Sequence, residues 1–238
     1  MSPKNFLPVS MFLLFASSLL LSQDEVVQDL LPDVIEPKDA PHHGHFTDQR
    51  DSKNYKTIDI GNQTWMAENL SYLPAVSPLA QESATKPLYY VYGYDGSDVK
   101  VAEVSDNFKN YGALYNWPAA HAACPEGWHI PTGRDWDELI NYLGHISVAG
   151  NKIKATGTMH WKESNESVTN ASGFHALPGG AITAEEGMHH LHTKANFWSD
   201  EARHANTMAS KSLSYRSSWV EGTYFPINSG LSVRCLKN

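Results

Sequence analysis

The thirty residues from Tyr115 to Gly144 (YNWPAAHAACPEGWHIPTGRDWDELINYLG) constrain this chain more than any other stretch. Trp136, Leu139, Ile140 and Leu143 recur at i, i+3, i+4 and i+7, which places four apolar side chains on one helical face. Thr132 stands at the N-cap with Asp135 three residues on, the pattern of a capping box. Pro131 disfavours helix upstream, and Gly144 is a natural stop. The spacing predicts a helix from Thr132 to Leu143. A shorter helix is expected over roughly Trp117 to Ala123, with Pro118 tolerated in its first turn. An extended link, Gly127 to Ile130, joins the two. Trp128 and His129 are expected to pack beneath the second helix rather than to touch a ligand.

The chain begins with Lys4 and an apolar run from Phe6 to Leu21, followed by Ser22, which reads as a cleaved signal peptide over residues 1–22. No Cys follows the run, which argues against a lipid anchor. Cleavage there would remove Lys4 and no acid, moving the formal charge from -8 to -9. An acidic exported chain lacks the basic footprint of a nucleic-acid binder. Secretion, the periplasm or the cell surface is the expected location. Residues 23–46 are acidic and Pro-punctuated and read as a flexible linker. It includes His42-His43-Gly44-His45, able to take a metal adventitiously. The domain proper is expected over residues 47–238.

Within it, Tyr55 to Ile60, Gly61-Asn62 and Gln63 to Ala67 read as a β-hairpin. Leu88 to Tyr94 reads as extended, its four tyrosines serving as strand aromatics or as a sugar platform. Gly150 to Trp161, Gly173 to Gly180, Ala195 to Ser199, Ser212 to Val220 and Ser229 to Lys237 read as further extended pieces. Cys124 and Cys235 are the only cysteines. In an exported protein the pair suggests a disulfide, the alternative being two buried thiols.

Candidate chemistry is sparse. No Gly-x-Ser-x-Gly elbow occurs. Asp200, Glu201 and Glu221 are carboxylates a glycosidase could use, but nothing in the spacing pairs them. His189, His190 and His192 form the one internal cluster of metal-ligand type. Strand alternation would let His190 and His192 share a site and exclude His189. Trp161, Trp219 and Tyr224 are the candidates for an exposed ligand surface in the loop-rich C-terminal half, whereas Trp198 is expected in the core. No motif implies a cofactor.

Six blocks occur in order: Gly61 to Leu70 (GNQTWMAENL), Tyr111 to Trp117 (YGALYNW), Ala123 to Pro131 (ACPEGWHIP), Gly173-Phe174 with Ala176 to Gly180 (ALPGG), Phe197-Trp198-Ser199, and Ser232 to Cys235 (SVRC). Together they resemble the Fibrobacter succinogenes major paralogous domain, over nearly all of the mature chain. That family is similar to the C-type-lectin-like superfamily and, distantly, to the formylglycine-generating enzyme domain. The resemblance implies an α+β fold of two helices on small, twisted antiparallel sheets with long loops, and places Cys124 and Cys235 where such domains carry their structural disulfide. It also implies export and surface binding. The calcium-lectin motifs Glu-Pro-Asn and Trp-Asn-Asp are absent, and no second cysteine pair remains for copper. The expectation is a non-catalytic, lectin-like module that binds polysaccharide or a cell-envelope protein. The alternatives are a structural domain of the envelope and a divergent metal-dependent enzyme.

Overall fold

The computed structural model describes residues 42–163 and 167–238; the signal-peptide reading and the linker as far as residue 41 lie outside the described residues. In chain order the elements are β1 (His42–Thr47), β2 (Asn54–Ile60), β3 (Gln63–Met66), β4 (Tyr89–Tyr90), α1 (Val99–Glu103), α2 (Asp106–Tyr111), β5 (Leu114–Tyr115), α3 (Trp117–Ala120), β6 (Trp128–His129), α4 (Gly133–Tyr142), α5 (Ile146–Ile153), β7 (Gly179–Thr183), β8 (Gly187–Leu191), β9 (Lys194–His204), β10 (Thr207–Ser214), β11 (Glu221–Pro226) and β12 (Leu236–Lys237). The fold is α+β. One sheet runs β1-β2-β3-β12-β6, a second β11-β10-β9-β7-β8, and β4 pairs with β5. All ladders are antiparallel except the β7–β9 contact, which is parallel. No helix among the described residues is long and apolar enough to cross a membrane.

The predicted hairpin is β2–β3, with Ile60 opposite Gln63 and Gly61-Asn62 at the turn. β1 adds to its open side, from His42 opposite Asp59 to Thr47 opposite Asn54. Residues 42–46, read from sequence as the end of the linker, are therefore an edge strand. The composition hides it because only Phe46 is a large apolar residue there; it packs on Trp128 with ring centroids 5.1 Å apart.

α4 forms as its caps dictate. The Thr132 hydroxyl accepts from the Asp135 amide, and the Asp135 carboxylate accepts from the Thr132 amide at 2.8 Å. Its apolar face buries Trp136, Leu139 and Ile140, each such side chain being worth about 1.5–3 kcal/mol on removal from water. Trp136 stacks against Trp65 of β3 at 4.9 Å and lies within 6 Å of Phe174 and Phe197. A second core cluster, around Tyr115, Trp198, Leu231, Val233 and Cys235, lies around the disulfide. Cys124 and Cys235 are bonded, across a sequence separation of 111.

Among the described residues, three helices appear beyond the two expected. α1 and α2 are short and capped by Asp98 and Ser105. α5 covers the start of a segment that reads as extended because it contains Gly150. A Cβ at that position would lie 2.5 Å from the Ser218 carbonyl oxygen, so tertiary approach rather than helix propensity selects the glycine. The expected strand Ser229 to Lys237 is mostly not a ladder. Its backbone makes single bridges from Gly230 to Ile182, Leu231 to Tyr115 and Ser232 to Phe197 before pairing as β12.

Candidate functional site

A cleft of about 370 Å³ opens where the first sheet meets the loops that follow α2 and α5. His43 of β1, Lys56 of β2 and Lys53 just ahead of it line one side. Glu68 and Asn69, which follow β3, line the floor. Lys109 and Asn110 come from α2, and His160, Asn170 and His175 from the long loops. Three lysines thus face one carboxylate among the lining residues, in a chain whose overall charge is -8.

The quoted blocks build this floor. Asn69 donates from Nδ2 to the Tyr111 carbonyl at 3.0 Å, and its Oδ1 accepts from Arg234 at 2.7 Å. Gly112 sits in the left-handed region at φ 72°, and a Cβ there would lie 2.5 Å from the Leu70 carbonyl oxygen. That close approach carries the Ala113 amide to the same carbonyl. Arg234 is 1% exposed. Its guanidinium donates to the carbonyls of Met66, Phe174 and His175 as well as to Asn69, and stacks 4.4 Å from the Phe174 ring. Burial pulls its pKa down to about 9, which still leaves a full cation at neutral pH. Arg234 is thus a buried cation held by carbonyl oxygens and Asn69, with the Glu68 carboxylate near enough to favour its charged form. Glu68 spends one oxygen on the Lys56 amide at 3.1 Å. Lys53 is partly buried and donates to Ser71 Oγ; burial lowers its pKa. Burial also lowers the pKa of His160 and, together with Arg234, that of His175. The imidazoles of His160 and His175 are therefore biased toward their neutral, hydrogen-bonding form, and the lysines supply the charge.

A second cleft, about 560 Å³, lies between the β7–β8 hairpin and β9–β11. Glu186, His189 and His190 line it, with Asn196, Ser212 and Thr223. Ser212 donates to Asn196 Oδ1 at 2.7 Å, and its hydroxyl lies 2.9 Å from that of Thr223.

Trp161 is 2% exposed and donates its indole N–H to the Ala176 carbonyl, so it belongs to the core and offers no face to a ligand. Its flanking polar residues mislead, because the chain folds back over it. Trp219 and Tyr224 are 50% and 42% exposed, as a surface role requires. Neither lines either cleft. Tyr224 instead carries the Arg203 guanidinium 4.5 Å from its ring. Of the four tyrosines read as a sugar platform, Tyr90 is buried and donates to the Gln81 carbonyl, and Tyr89 packs edge-on against Tyr115. Trp198 is in the core, its indole donating to the Tyr115 carbonyl.

His190 and His192 do not share a site. Both have left-handed backbones, at φ 65° and 63°, which breaks the strand alternation on which their pairing rests. His192 turns to the His160 carbonyl and the Tyr111 hydroxyl. His190 instead stands beside His189, ring centroids 4.6 Å apart. Burial, with Lys194 and His189 nearby, holds its pKa below the ordinary imidazole range. Asp200, Glu201 and Glu221 line neither cleft.

Sequence reasoning did not find the lysine cleft. Its residues are spread from His43 to Leu177 and each lysine alone reads as a solvated side chain. The signal available was Arg234, a charge set between Val233 and Cys235 in the closing segment.

With this geometry in place, comparison with known proteins adds one finding. The family model described as the Fibrobacter succinogenes major domain matches residues 58–237, more than half of the chain. No curated protein and no solved structure matches it.

Proposed function

We propose a function from one premise: the chain belongs to the Fibrobacter succinogenes major domain family. On our reading it is an exported, non-catalytic, lectin-like binding module. Its ligand is an acidic polysaccharide, a chain of carboxylated sugars, taken in the lysine cleft. The lectin-like part of this reading is supported by the order α3, Cys124, β6, capped α4 and closing Cys235 strand. The single observation that carries the ligand class is the convergence of Lys53, Lys56 and Lys109 on a cleft with one lining carboxylate. Amides of Asn110 and Asn170 and the imidazoles of His43, His160 and His175 would meet sugar hydroxyls there. The volume falls at the lower end of the range for small-ligand sites, suiting one or two sugar rings of a longer chain.

The test is binding to a panel of soluble polysaccharides, uronate-bearing and neutral, by affinity electrophoresis. Retardation by polygalacturonate and not by neutral glucans supports the reading. Lys56→Gln/Lys109→Gln should weaken it by roughly two- to thirtyfold, since exposed charge pairs contribute about 0.2–1 kcal/mol each. Equal binding of neutral chains, or loss on Trp219→Ala with the lysine variant unaffected, overturns it.

A further inference from the structure

The β7–β8 hairpin holds a feature separate from the lysine cleft, and the outcome for one leaves the other untouched. Glu186, His189 and His190 each offer a ligand atom, and these atoms all lie within 4.8 Å of one another. Two imidazoles and a carboxylate are a donor set for zinc and its borderline neighbours. Around a tetrahedral ion with bonds near 2 Å, ligand atoms stand about 3.4 Å apart. The set thus needs to close by about 1.4 Å at most, which side-chain rotation supplies. The Glu186 side chain is 61% exposed and already stands 3.7 Å from His189.

The backbone explains why neighbours in sequence can act together. β7 and β8 pair Gly179 with Leu191 and Ala181 with His189, which leaves Gly180 and His190 opposite each other but unpaired in the ladder. Both take left-handed conformations, φ 72° and 65°. A Cβ on Gly180 would lie 2.5 Å from the His189 carbonyl oxygen, so the irregularity requires glycine there. A left-handed histidine is strained, and such strain gathers at ligand clamps. Here its consequence is that His190 and His189 stand together and line one cleft. His189 Nδ1 lies 3.0 Å from the Gly187 carbonyl oxygen. Nδ1 also lies 3.7 Å from Glu186 Oε2, so it is this nitrogen that faces the carboxylate.

We infer that Glu186, His189 and His190 form a three-ligand site for a divalent transition metal, zinc above all. The fourth position opens on the cleft that Asn196, Ser212 and Thr223 line, where a hydroxyl- or carboxylate-bearing ligand could complete it. His42, His43 and His45 of the edge strand are the competing imidazoles in the same chain and must be controlled.

The experiment is titration of the chelator-treated full chain with zinc chloride by isothermal calorimetry. The chains compared are wild type, Glu186→Gln, His190→Asn and, as control, His43→Ala/His45→Ala. Asn tolerates the left-handed backbone, and melting in chelator establishes that each variant is folded. The expected result is one high-affinity equivalent, weakened at least tenfold in both Glu186→Gln and His190→Asn and kept in the control. Unchanged binding in those two variants, loss in the control alone, or no high-affinity equivalent in wild type overturns the site. Should His190→Asn fail to fold, Glu186→Gln alone decides.

Discussion

Reducing the Cys124–Cys235 bond should cost this domain a large share of its stability. The bond joins residues 111 apart in sequence. Closing a loop of that length removes about 16 cal/mol/K of chain entropy from the unfolded state, or about 4.8 kcal/mol at 25 °C. Domains of this size have about 5–15 kcal/mol in total. Cys235 is fully buried beside Leu231 and Val233, and its carbonyl accepts from the Met66 amide. Urea unfolding of oxidised and reduced protein isolates the crosslink, because both sulfurs stay in place. With an m-value of about 3 kcal/mol/M the midpoint should fall by about 1.6 M. Cys124→Ala/Cys235→Ala should fall further by about 1 kcal/mol for the lost packing. Midpoints within about 0.3 M of each other would refute the argument. They would mean that the reduced unfolded chain is already confined, or that the closing strand needs no staple.

Two further outcomes follow from local geometry. Thr132→Ala removes the α4 capping box and should cost about 1 kcal/mol in denaturant unfolding. Burial works to raise the pKa of Asp135, but hydrogen bonds from Thr132 and His129 outweigh it and hold the carboxyl below its usual range. The stability Asp135 adds is therefore present above its unfolded pKa, lost as pH falls through its folded one, and smaller in the variant. Lys154 is 1% exposed, donates to the Ser214 and Ser217 carbonyls, and is pulled by burial from 10.5 to about 8. The folded state releases its proton first, so the unfolded state binds more protons between those values and stability rises with pH across them. The rise is at most about 3.5 kcal/mol at about 1.4 kcal/mol per unit, and it should be absent from Lys154→Met and therefore appear in the difference between wild type and that variant. Above pH 10 the buried Tyr55 and Tyr90, pushed up to about 12, reverse the trend as the unfolded tyrosines ionise first. A flat difference curve from pH 8 to 10 would contradict the Lys154 assignment.

What the sequence disclosed and what it concealed divide along physical lines. α4, the β2–β3 hairpin and the β6 link were legible because capping, periodicity and an Asn-containing turn are encoded within a few residues. The disulfide was legible because only two cysteines exist. α5 was not, because Gly150 answers to Ser218 nearly seventy positions away. The C-terminal segment looked like one strand, but its partners are Ile182, Tyr115, Phe197 and then β3 and β6, which no local pattern specifies. His189, His190 and His192 drew attention, yet the alternation rule paired the wrong two because two left-handed residues lie between the expectation and the geometry. The exposure of Trp219 and Tyr224 came through, while Trp161 was covered by packing. The lysine cleft was invisible for a different reason. Its charge comes from residues that are ordinary singly and become a site only when β2, α2 and the Asn170–Leu177 loop converge.

The most direct measurement of the central claim is lysine-acetylation footprinting with polygalacturonate as the probe ligand, read by mass spectrometry. The account predicts that Lys56 and Lys109 become protected as the polysaccharide is added, that protection fades as salt rises, and that Lys100 and Lys237, outside the cleft, react as before. Uniform protection of all lysines, or none at Lys56 and Lys109 under conditions where the polysaccharide binds, would contradict it.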